Sequence, residues 1–283
     1  MKPPKRKVDV VVISDVHLGT YGCHATELLK YLKSIDPKKV VLNGDIIDVW
    51  QFNKHYWPKS HMQVVKHITG LIAKGVKVYY VTGNHDEMLR KFVGFKMGSF
   101  EIVNKLILKT KGERAWIFHG DVFDVTMQHS KWLAKLGAVG YDTLILINRV
   151  VNFFSERVGR GKISLSQNVK NGVKSAVAFI NNFERIATEL AIDQGYDQVI
   201  CGHIHQPIIR KVENGKGACT YLNSGDWVEN LTSLEMTNGS WNLYRYQEDA
   251  IVRDIDLSEY HDDVRRNKEL FQGLITEFQL LAS

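Results

Sequence analysis

Short apolar runs rich in β-branched residues recur along the first part of the chain, and amphipathic stretches separate them. The runs at 8–14, 39–43 and 76–82 have the continuous apolar character of buried strands. Residues 23–34 and the stretch that Gly75 ends space their apolar positions as helices do. Strands that alternate with helices in this way predict parallel βαβ units, and hence an α/β fold.

Further apolar runs lie on both sides of a long helical interruption. The runs at 102–108, 115–118 and 198–201 predict three more strands. Asn-Gly pairs at 214–215 and 238–239 predict two β-hairpins, because both residues tolerate the positive φ of a type I′ turn. The region after residue 198 is therefore predicted to be rich in β-structure.

Two stretches are helical in pattern. Residues 125–195 are helical and basic, and we predict that they form a lid inserted into a single domain that spans residues 1–283. Residues 258–282 place Phe271, Leu274, Ile275, Phe278 and Leu281 on one face. This amphipathic C-terminal helix is predicted to pack on the body of the protein or on a second copy of the chain, as in a homodimer.

The composition is that of a soluble globular protein, with 44% hydrophobic and 24% charged residues among 283. Three cysteines with no close pairing argue for a reducing compartment and against a disulfide framework or a thiolate metal site. The apolar run after the basic N-terminus is too short for a signal peptide, and no window has the length of a membrane span. A cytoplasmic location is therefore expected.

The net charge of +6 becomes informative once it is located along the sequence. Between His129 and Ser175 there are eight Lys and Arg against two acidic residues, an excess that equals that of the whole chain. A basic patch on one segment favours an anionic surface or ligand there, and argues against nucleic acid, which a uniformly basic surface would suggest. A solvated helical face explains the same charges equally well.

Each of five predicted strands ends in polar residues. The five sets are Asp15 with His17, Asp45 with Asp48, Asn84 with His85 and Asp86, His119 with Asp121, and His203 with His205. A single Asp or His beside a glycine is usually a helix cap or a turn residue. Ligands of open α/β sheets bind just beyond the carboxyl ends of the strands, so five such sets at the ends of strands of one sheet predict a site.

The residue types indicate what the site holds. Asp, Asn and His without Cys form a mixed oxygen and nitrogen set that suits manganese, iron or zinc. Even seven of these eleven residues would be too many ligands for one ion. Two ions about 3.5–4 Å apart would need a bridging carboxylate, and such pairs serve hydrolytic phosphoryl chemistry.

The ordered motifs resemble those of the calcineurin-like metallophosphoesterase family. They are Asp-x-His, Gly-Asp-x-x-Asp, Gly-Asn-His-Asp, His-Gly-Asp and Gly-His-x-His, between residues 15 and 205. The resemblance implies an α/β fold in which two sheets are sandwiched between helices, a four-layer α/β/β/α arrangement with the inserted helical lid. It also implies a hydrolase with two divalent metal ions.

The resemblance assigns a role to each matching position. One metal would be held by Asp15, His17, Asp45 and His205, and the other by Asp45, Asn84, His119 and His203. Asp45 would therefore bridge the two ions.

Four further residues would act on the substrate or support the ligands. His85 matches the histidine that protonates the leaving oxygen or stabilises the phosphoryl charge, and Asp86 would orient it. Asp48 and Asp121 would fix the tautomer and orientation of ligand side chains.

The insertion narrows the substrate class. Residues 143–154 are apolar nearly all round, and basic residues flank them, as expected of a helix covered by a lipid tail, a bilayer surface or a partner. A helix buried among others in the lid would show the same pattern.

This insertion, the Ser-Asp-x-His-Leu-Gly motif at 14–19 and the Gly-Asp-Trp stretch at 225–227 together resemble the UDP-2,3-diacylglucosamine pyrophosphatases of lipid A biosynthesis. That resemblance implies a manganese-dependent enzyme, peripheral on the inner face of the cytoplasmic membrane. Such an enzyme binds a lipid-linked nucleotide and releases UMP and a diacylglucosamine 1-phosphate by attack of water on the α-phosphorus.

One departure keeps alternatives open. The best-known branch of that subfamily carries Arg where this chain has His85, and His can donate a proton at neutral pH whereas Arg cannot. The alternative is a phosphodiesterase acting on another nucleotide, a cyclic nucleotide or nucleic acid, whose bases the aromatic loop at 50–57 would stack. Packing in the core explains these aromatic residues equally well. A non-catalytic scaffold would be expected to lack ligands, and this sequence keeps all of them.

Overall fold

The computed structural model of the chain describes residues 5–49, 56–123, 167–255 and 257, with the backbone alone given for 167–179. Three predicted features lie wholly or largely outside these residues: the apolar stretch at 143–154, the C-terminal helix at 258–282, and most of the aromatic loop. Within the described residues, no helix is long and apolar enough to cross a membrane.

The described elements alternate between strands and helices before residue 123 and are mostly strands after residue 198. In chain order the strands are β1 (Arg6–Ile13), β2 (Ile35–Asn43), β3 (Lys77–Val81), β4 (Lys96–Met97), β5 (Phe100–Val103), β6 (Leu106–Thr110), β7 (Glu113–Ile117), β8 (Gln198–Cys201), β9 (Ile208–Asn214), β10 (Gly217–Asn223), β11 (Thr232–Thr237) and β12 (Ser240–Arg245). The α-helices are α1 (Ala25–Ser34), α2 (Lys59–Ala73), α3 (Gln167–Asp193) and α4 (Ala250–Arg253). Two 3-10 helices span Glu87–Phe92 and Tyr246–Glu248.

The strands form two sheets. The larger has the order β12-β11-β1-β2-β3-β5-β4. Its strands β1, β2, β3 and β5 are parallel, whereas β11, β12 and β4 pair antiparallel to their neighbours. The smaller has the order β6-β7-β8-β10-β9, with β7, β8 and β10 parallel.

Three apolar layers hold the sheets and helices together. The middle layer joins the two sheets, with Val12 and Val41 on one side and Ile200 on the other. A second lies between the larger sheet and helices α1 and α2, and a third lies between the smaller sheet and α3. The predicted four-layer α/β/β/α sandwich is therefore confirmed.

Several local predictions are also confirmed, and one is wrong. The strand at 198–201 has the predicted bounds, and turns at 215–216 and 238–239 close the two expected hairpins, the first of them one residue later than predicted because Asn214 ends β9. The single strand expected at 102–108 is instead two strands, β5 and β6, in different sheets. Exposed Asn104 and Lys105 interrupt the apolar run, and the chain passes there from one sheet to the other.

The predicted insertion includes part of the sandwich itself. Its first section lies outside the described residues, and α3 forms its last section. Phe183, Ala187 and Ala191 of this helix are fully buried against the smaller sheet. The end of α3 is thus an outer layer of the core.

The five polar strand ends come from both sheets, which corrects the expectation of one sheet. Strands β1, β2 and β3 belong to the larger sheet, whereas β7 and β8 belong to the smaller. The side-chain amide of Asn43, at the end of β2, donates to the carbonyl of Phe118, just after β7, at 3.2 Å. Because the sheets are stacked with these ends together, all five loops meet on one side of the sandwich.

Candidate metal centre

The loops that carry the candidate ligands have unusual backbone conformations. Five candidate ligands have positive φ, namely Asp15 (52°), His17 (54°), Asp45 (55°), His203 (67°) and His205 (53°). Non-glycine residues rarely adopt this region, and each instance costs on the order of 1–3 kcal/mol. Such strain clusters at functional sites, where the surrounding structure holds it in place.

Gly83 is required because the loops after β2 and β3 approach each other closely. A Cβ at this position would lie 2.6 Å from the backbone nitrogen of Asp45 and 3.0 Å from Cδ2 of His119. Neither atom is the end of a flexible side chain, so an alanine would push the loops apart. The glycine of the Gly-Asn-His-Asp motif is thus needed for the close packing of these loops.

The first group of candidate ligands contains Asp15, His17 and His205, whose ligand atoms lie within 4.8 Å of one another. Nε2 of His205 is 3.2 Å from Oδ1 of Asp15. Asp15 is fully buried, and its Oδ2 accepts a hydrogen bond from the backbone nitrogen of His203 at 3.0 Å. The loops after β1 and β8 are therefore joined through this carboxylate.

The second group contains Asp45, His119 and His203. Nδ1 of His119 lies 2.8 Å from the backbone carbonyl of Asn43, which assigns the proton to Nδ1. Nε2 of the same ring faces two oxygen atoms, Oδ2 of Asp45 and Oδ1 of Asn84, each at 3.2 Å. With Nδ1 protonated, a neutral ring presents a lone pair to two acceptors, an arrangement that a cation between them satisfies.

The electrostatics of the buried carboxylates also call for positive charge. Burial alone would raise the pKa values of Asp15 and Asp45, but the neighbouring imidazoles outweigh it and lower both. In turn, burial would lower the pKa of His205, yet Asp15 raises it to about 9. Asp45 and Asp15 likewise hold the pKa of His119 well above its usual value against burial. Protons on the imidazoles thus supply positive charge to the buried carboxylates, and divalent cations would take the place of these protons.

His85 is paired with Asp48. Its Nδ1 lies 2.8 Å from Oδ2 of Asp48, and the same oxygen lies 3.1 Å from Nδ1 of His17. Burial lowers the pKa of His85, but Asp48 and Asp45 outweigh it, so the net shift is upward. The side chain of His85 is 26% exposed whereas that of Asp48 is 1% exposed, so a buried carboxylate holds a partly exposed imidazole.

Asp86 does not have the neighbour that the resemblance suggested. Its carboxylate accepts hydrogen bonds from the backbone nitrogens of Gly83 (2.6 Å) and Ile46 (3.1 Å) and from the hydroxyl of Tyr80 (2.7 Å). The carboxylate beside His85 is Asp48. Asp86 precedes the 3-10 helix, and its side chain points back into the loops and braces them.

Asp121 and Asp226 have contacts that the sequence did not predict. Asp121 forms an ion pair with Arg90, a residue that no motif contains. Asp226 is fully buried, and its Oδ2 is 3.9 Å from Nδ1 of His205, near enough to favour the charged imidazole. The Gly-Asp-Trp stretch at 225–227 was visible in the sequence, but its position behind His205 was not.

The structure therefore brings all seven predicted ligands together with His85. Asp15, His17 and His205 lie in one group, and Asp45, Asn84, His119 and His203 lie in the other. His17, Asp48 and His85 form a third group within 4.8 Å that shares His17 with the first. Two adjacent ligand groups and an imidazole–carboxylate pair suit phosphoester hydrolysis with two metals.

Comparisons with known proteins found relatives and solved structures that are similar to this chain. A protein of Blochmanniella pennsylvanica named UDP-2,3-diacylglucosamine hydrolase is 24% identical over 290 residues, covering 96% of this chain and 98% of that protein. A protein of the same name from Stenotrophomonas maltophilia is 24% identical over 240 residues, covering 82% and 96%. The solved structure of an archaeal phosphodiesterase aligns with 83% of this chain and 98% of its own, at 14% identity and a TM-score of 0.41.

The family model for calcineurin-like phosphoesterases matches residues 8–207. This range contains every candidate ligand, as well as His85 and Asp48. The chain belongs to the calcineurin-like phosphoesterase family.

Proposed function

We propose that this phosphoester hydrolase cleaves the pyrophosphate of UDP-2,3-diacylglucosamine to UMP and 2,3-diacylglucosamine 1-phosphate, with a dinuclear manganese site. The observation that carries the proposal is the pair of adjacent ligand groups, each built around a buried carboxylate and two imidazoles. Relatives that bear the name of this activity align over nearly their whole length, and they support the substrate.

The seven ligands would be divided between two divalent cations. Asp15, His17 and His205 would hold one, Asn84, His119 and His203 would hold the other, and Asp45 would bridge them. When bound, the two cations supply a water of lowered pKa and positive charge for the phosphoryl oxygens. The mixed carboxylate, amide and imidazole set fits manganese, with iron or zinc as alternatives.

The residues around the ligands fix their proton positions. The carbonyl of Asn43 keeps the proton of His119 on Nδ1, so Nε2 is free to coordinate. Asp48 does the same for His17, because its carboxylate accepts from Nδ1 of that ring. Without these partners, each ring would populate a tautomer that cannot bind a cation at the required nitrogen.

His85 would act on the phosphoryl group or on the leaving oxygen. With Nδ1 facing Asp48, its Nε2 is the nitrogen left for substrate. Asp48 and Asp45 shift the pKa of His85 upward against burial, which favours the protonated ring, and this proton can be donated or can offset negative charge. Asp48 acts here through His85 as a positioning residue.

The location we propose is the inner face of the cytoplasmic membrane, with the basic segment between His129 and Ser175 in contact with anionic lipid headgroups. Its support is the charge excess of that segment together with the lipid-linked substrate. The segment lies mostly outside the described residues, so this part of the proposal rests on the sequence.

The pairing of His85 with Asp48 supports a second candidate function. A proton donor is most useful when the leaving group is a basic alkoxide, whereas a phosphate leaving group needs little protonation. A phosphodiesterase acting on a different nucleotide, a cyclic nucleotide or nucleic acid would use this pair fully. The two candidates differ in leaving group while sharing the metal site.

The test compares two substrates with the manganese-loaded protein. We expect release of UMP from UDP-2,3-diacylglucosamine, measured chromatographically, together with slower hydrolysis of bis-p-nitrophenyl phosphate. The Asp45→Asn variant serves as the control for contaminating hydrolases. Hydrolysis of bis-p-nitrophenyl phosphate without release of UMP would reject the lipid substrate and leave the phosphodiesterase.

A further inference from the structure

A cleft of about 580 Å³ lies next to the metal centre. Its walls come from the loop after β2 and from the 3-10 helix after β3, and they consist of Val49, Glu87, Met88, Arg90 and Lys91. The backbone nitrogen of Val49 donates to the carbonyl of His85 at 3.1 Å. One wall of the cleft is therefore joined to the backbone of His85.

Arg90 connects this cleft to the loop of a candidate ligand. Its guanidinium forms an ion pair with Asp121, two residues after His119. The side chain is 29% exposed, and the contact uses one of its terminal nitrogens. A guanidinium has five N–H donors in a planar fork, so the ion pair orients the group and leaves donors for a ligand.

The walls of the cleft combine two kinds of surface. Arg90 and Lys91 supply two positive charges against the single carboxylate of Glu87. Val49 and Met88 are each 38% exposed although they are apolar. An anionic group that carries an apolar substituent would match both surfaces.

We propose that this cleft binds the leaving group of the reaction, and that Arg90 contacts the phosphate of that leaving group. The inference rests on the proposed function, in which the departing group is a phosphate monoester attached to a lipid-bearing sugar. Lys91 would add charge at the rim, and the exposed apolar side chains would contact the part of the leaving group beyond the phosphate.

The chemistry explains why a cation is needed there. Water forms a bond to the attacked phosphorus, the bond to the bridging oxygen breaks, and that oxygen keeps the electron pair. The departing phosphate gains one negative charge. Of the two protons of the water, one passes to solvent and the other stays on the phosphate formed at the attacked phosphorus. A guanidinium can meet two phosphate oxygens at once and offset this charge without giving up a proton.

The competing interpretation is that Arg90 only braces the loops through Asp121. The two interpretations differ in what the Asp121→Asn variant does. If Arg90 contacts the ligand, loss of the guanidinium must weaken binding far more than loss of its carboxylate partner. If Arg90 is a brace, both variants break the same ion pair and must behave alike.

The experiment measures inhibition of bis-p-nitrophenyl phosphate hydrolysis by n-octyl phosphate, a mimic of a phosphate leaving group with an apolar chain. We expect Arg90→Gln to raise the inhibition constant about 10–100-fold, as loss of charge-assisted hydrogen bonds does. Arg90→Lys should recover part of that loss, and Asp121→Asn should raise the constant much less than Arg90→Gln. Arg185→Gln removes an exposed arginine that is paired with Glu189 on α3, and should leave the constant unchanged.

Equal effects of Arg90→Gln and Asp121→Asn, or no effect of either, would overturn the inference. This outcome is distinguishable from failure of the proposed function. Absence of UMP release together with an Arg90-dependent inhibition constant would reject the lipid substrate and keep the cleft. Release of UMP together with an inhibition constant that does not depend on Arg90 would support the lipid substrate and reject the role of the cleft.

Discussion

The loops after β2 and β3 look alike in sequence and differ in structure. Each follows a buried parallel strand, has a glycine near its start and places a carboxylate at its end, Asp48 in one and Asp86 in the other. Asp48 faces the site, where it contacts His17 and His85. Asp86 faces the protein interior, where it accepts from two backbone nitrogens and from Tyr80.

This comparison separates what spacing determines from what it leaves open. The position of a residue at a strand end places it near the site. Whether its side chain turns toward the ligands or back into the loops depends on which backbone donors remain unsatisfied. Buried backbone N–H groups must find acceptors, and Asp86 supplies one for the nitrogens of Gly83 and Ile46.

The largest effect is expected at Asp45, which lies in the loop after β2 and accepts a hydrogen bond from the backbone nitrogen of His85 in the loop after β3. The Asp45→Asn variant should lose both metals and all measurable activity, because an amide has no negative charge and only one oxygen, and so cannot bridge two cations as a carboxylate does. Metal content per chain can be measured by inductively coupled plasma mass spectrometry after gel filtration. A variant that keeps two metals per chain would show that Asp45 is not the bridge.

His85 should have the next largest effect, and one of a different kind. The His85→Ala variant should keep its metals and lose about 10²–10⁴-fold in turnover, as expected of a group that donates a proton or offsets charge on the phosphoryl group. Turnover of UDP-2,3-diacylglucosamine and metal content should be measured on the same preparation. A parallel loss of metal would instead place His85 among the ligands.

The two loop carboxylates can then be compared directly through the pH dependence of activity. Asp48 helps to raise the pKa of His85, so Asp48→Asn should lower that pKa. Activity that needs protonated His85 is lost as pH rises through its pKa, so the alkaline limb of the profile should move to lower pH. Asp86→Asn should leave the limb in place, because its described contacts are with the loops.

Asp86→Asn should instead affect stability. Replacing one carboxylate oxygen by an amide leaves a backbone nitrogen or the Tyr80 hydroxyl without its acceptor, at a cost of about 1–3 kcal/mol. The free energy of unfolding in urea measures this cost, with Asp48→Asn as the matched variant. A shift of the alkaline limb in Asp86→Asn would contradict the division of roles between the two carboxylates.

The last expected effect depends on pH and arises at His61, which braces the loop after β1. Nδ1 of His61 accepts from the backbone nitrogen of Gly19 at 2.9 Å, and burial lowers the pKa of the ring to about 4. The unfolded chain binds a proton near pH 6.5 and the folded chain near pH 4. Stability is therefore lost as pH falls through this window, by up to about 3 kcal/mol.

Urea denaturation of metal-free protein at pH 7.5 and pH 5 measures this dependence. The His61→Gln variant keeps an acceptor that does not titrate, so its stability should change less between the two pH values than that of the wild type. His67, whose pKa burial also lowers to about 4, is present in both proteins and cancels in the comparison. An identical pH dependence in the two proteins would contradict the assignment to His61.

Much of the fold was accessible from sequence, because strand and helix periodicity record burial. The strand at 198–201 has three buried apolar residues after Gln198 and ends before Gly202, and its predicted bounds are correct. The prediction of one strand at 102–108 is wrong, because only two polar residues separate two strands that belong to different sheets. Periodicity gives no information on which sheet a strand joins, so the five strand ends were assigned to one sheet although they belong to two.

The candidate ligands were also accessible, because motif residues must be of a specific chemical type. The supporting contacts were not. A backbone carbonyl such as that of Asn43 orients His119, and no residue type encodes it. Arg90 lies in no motif, and its proximity to Asp121 depends on how two loops pack. The left-handed backbone of the ligand loops is likewise a product of tertiary structure.

The most direct test of a dinuclear site bridged by Asp45 is electron paramagnetic resonance of the manganese-loaded protein. Two manganese ions about 3.5–4 Å apart and bridged by one carboxylate are expected to be magnetically coupled. The wild type should show the spectrum of a coupled pair at two equivalents of manganese, and Asp45→Asn should show none. A spectrum of isolated manganese ions in the wild type at saturating metal would contradict a site built around Asp45.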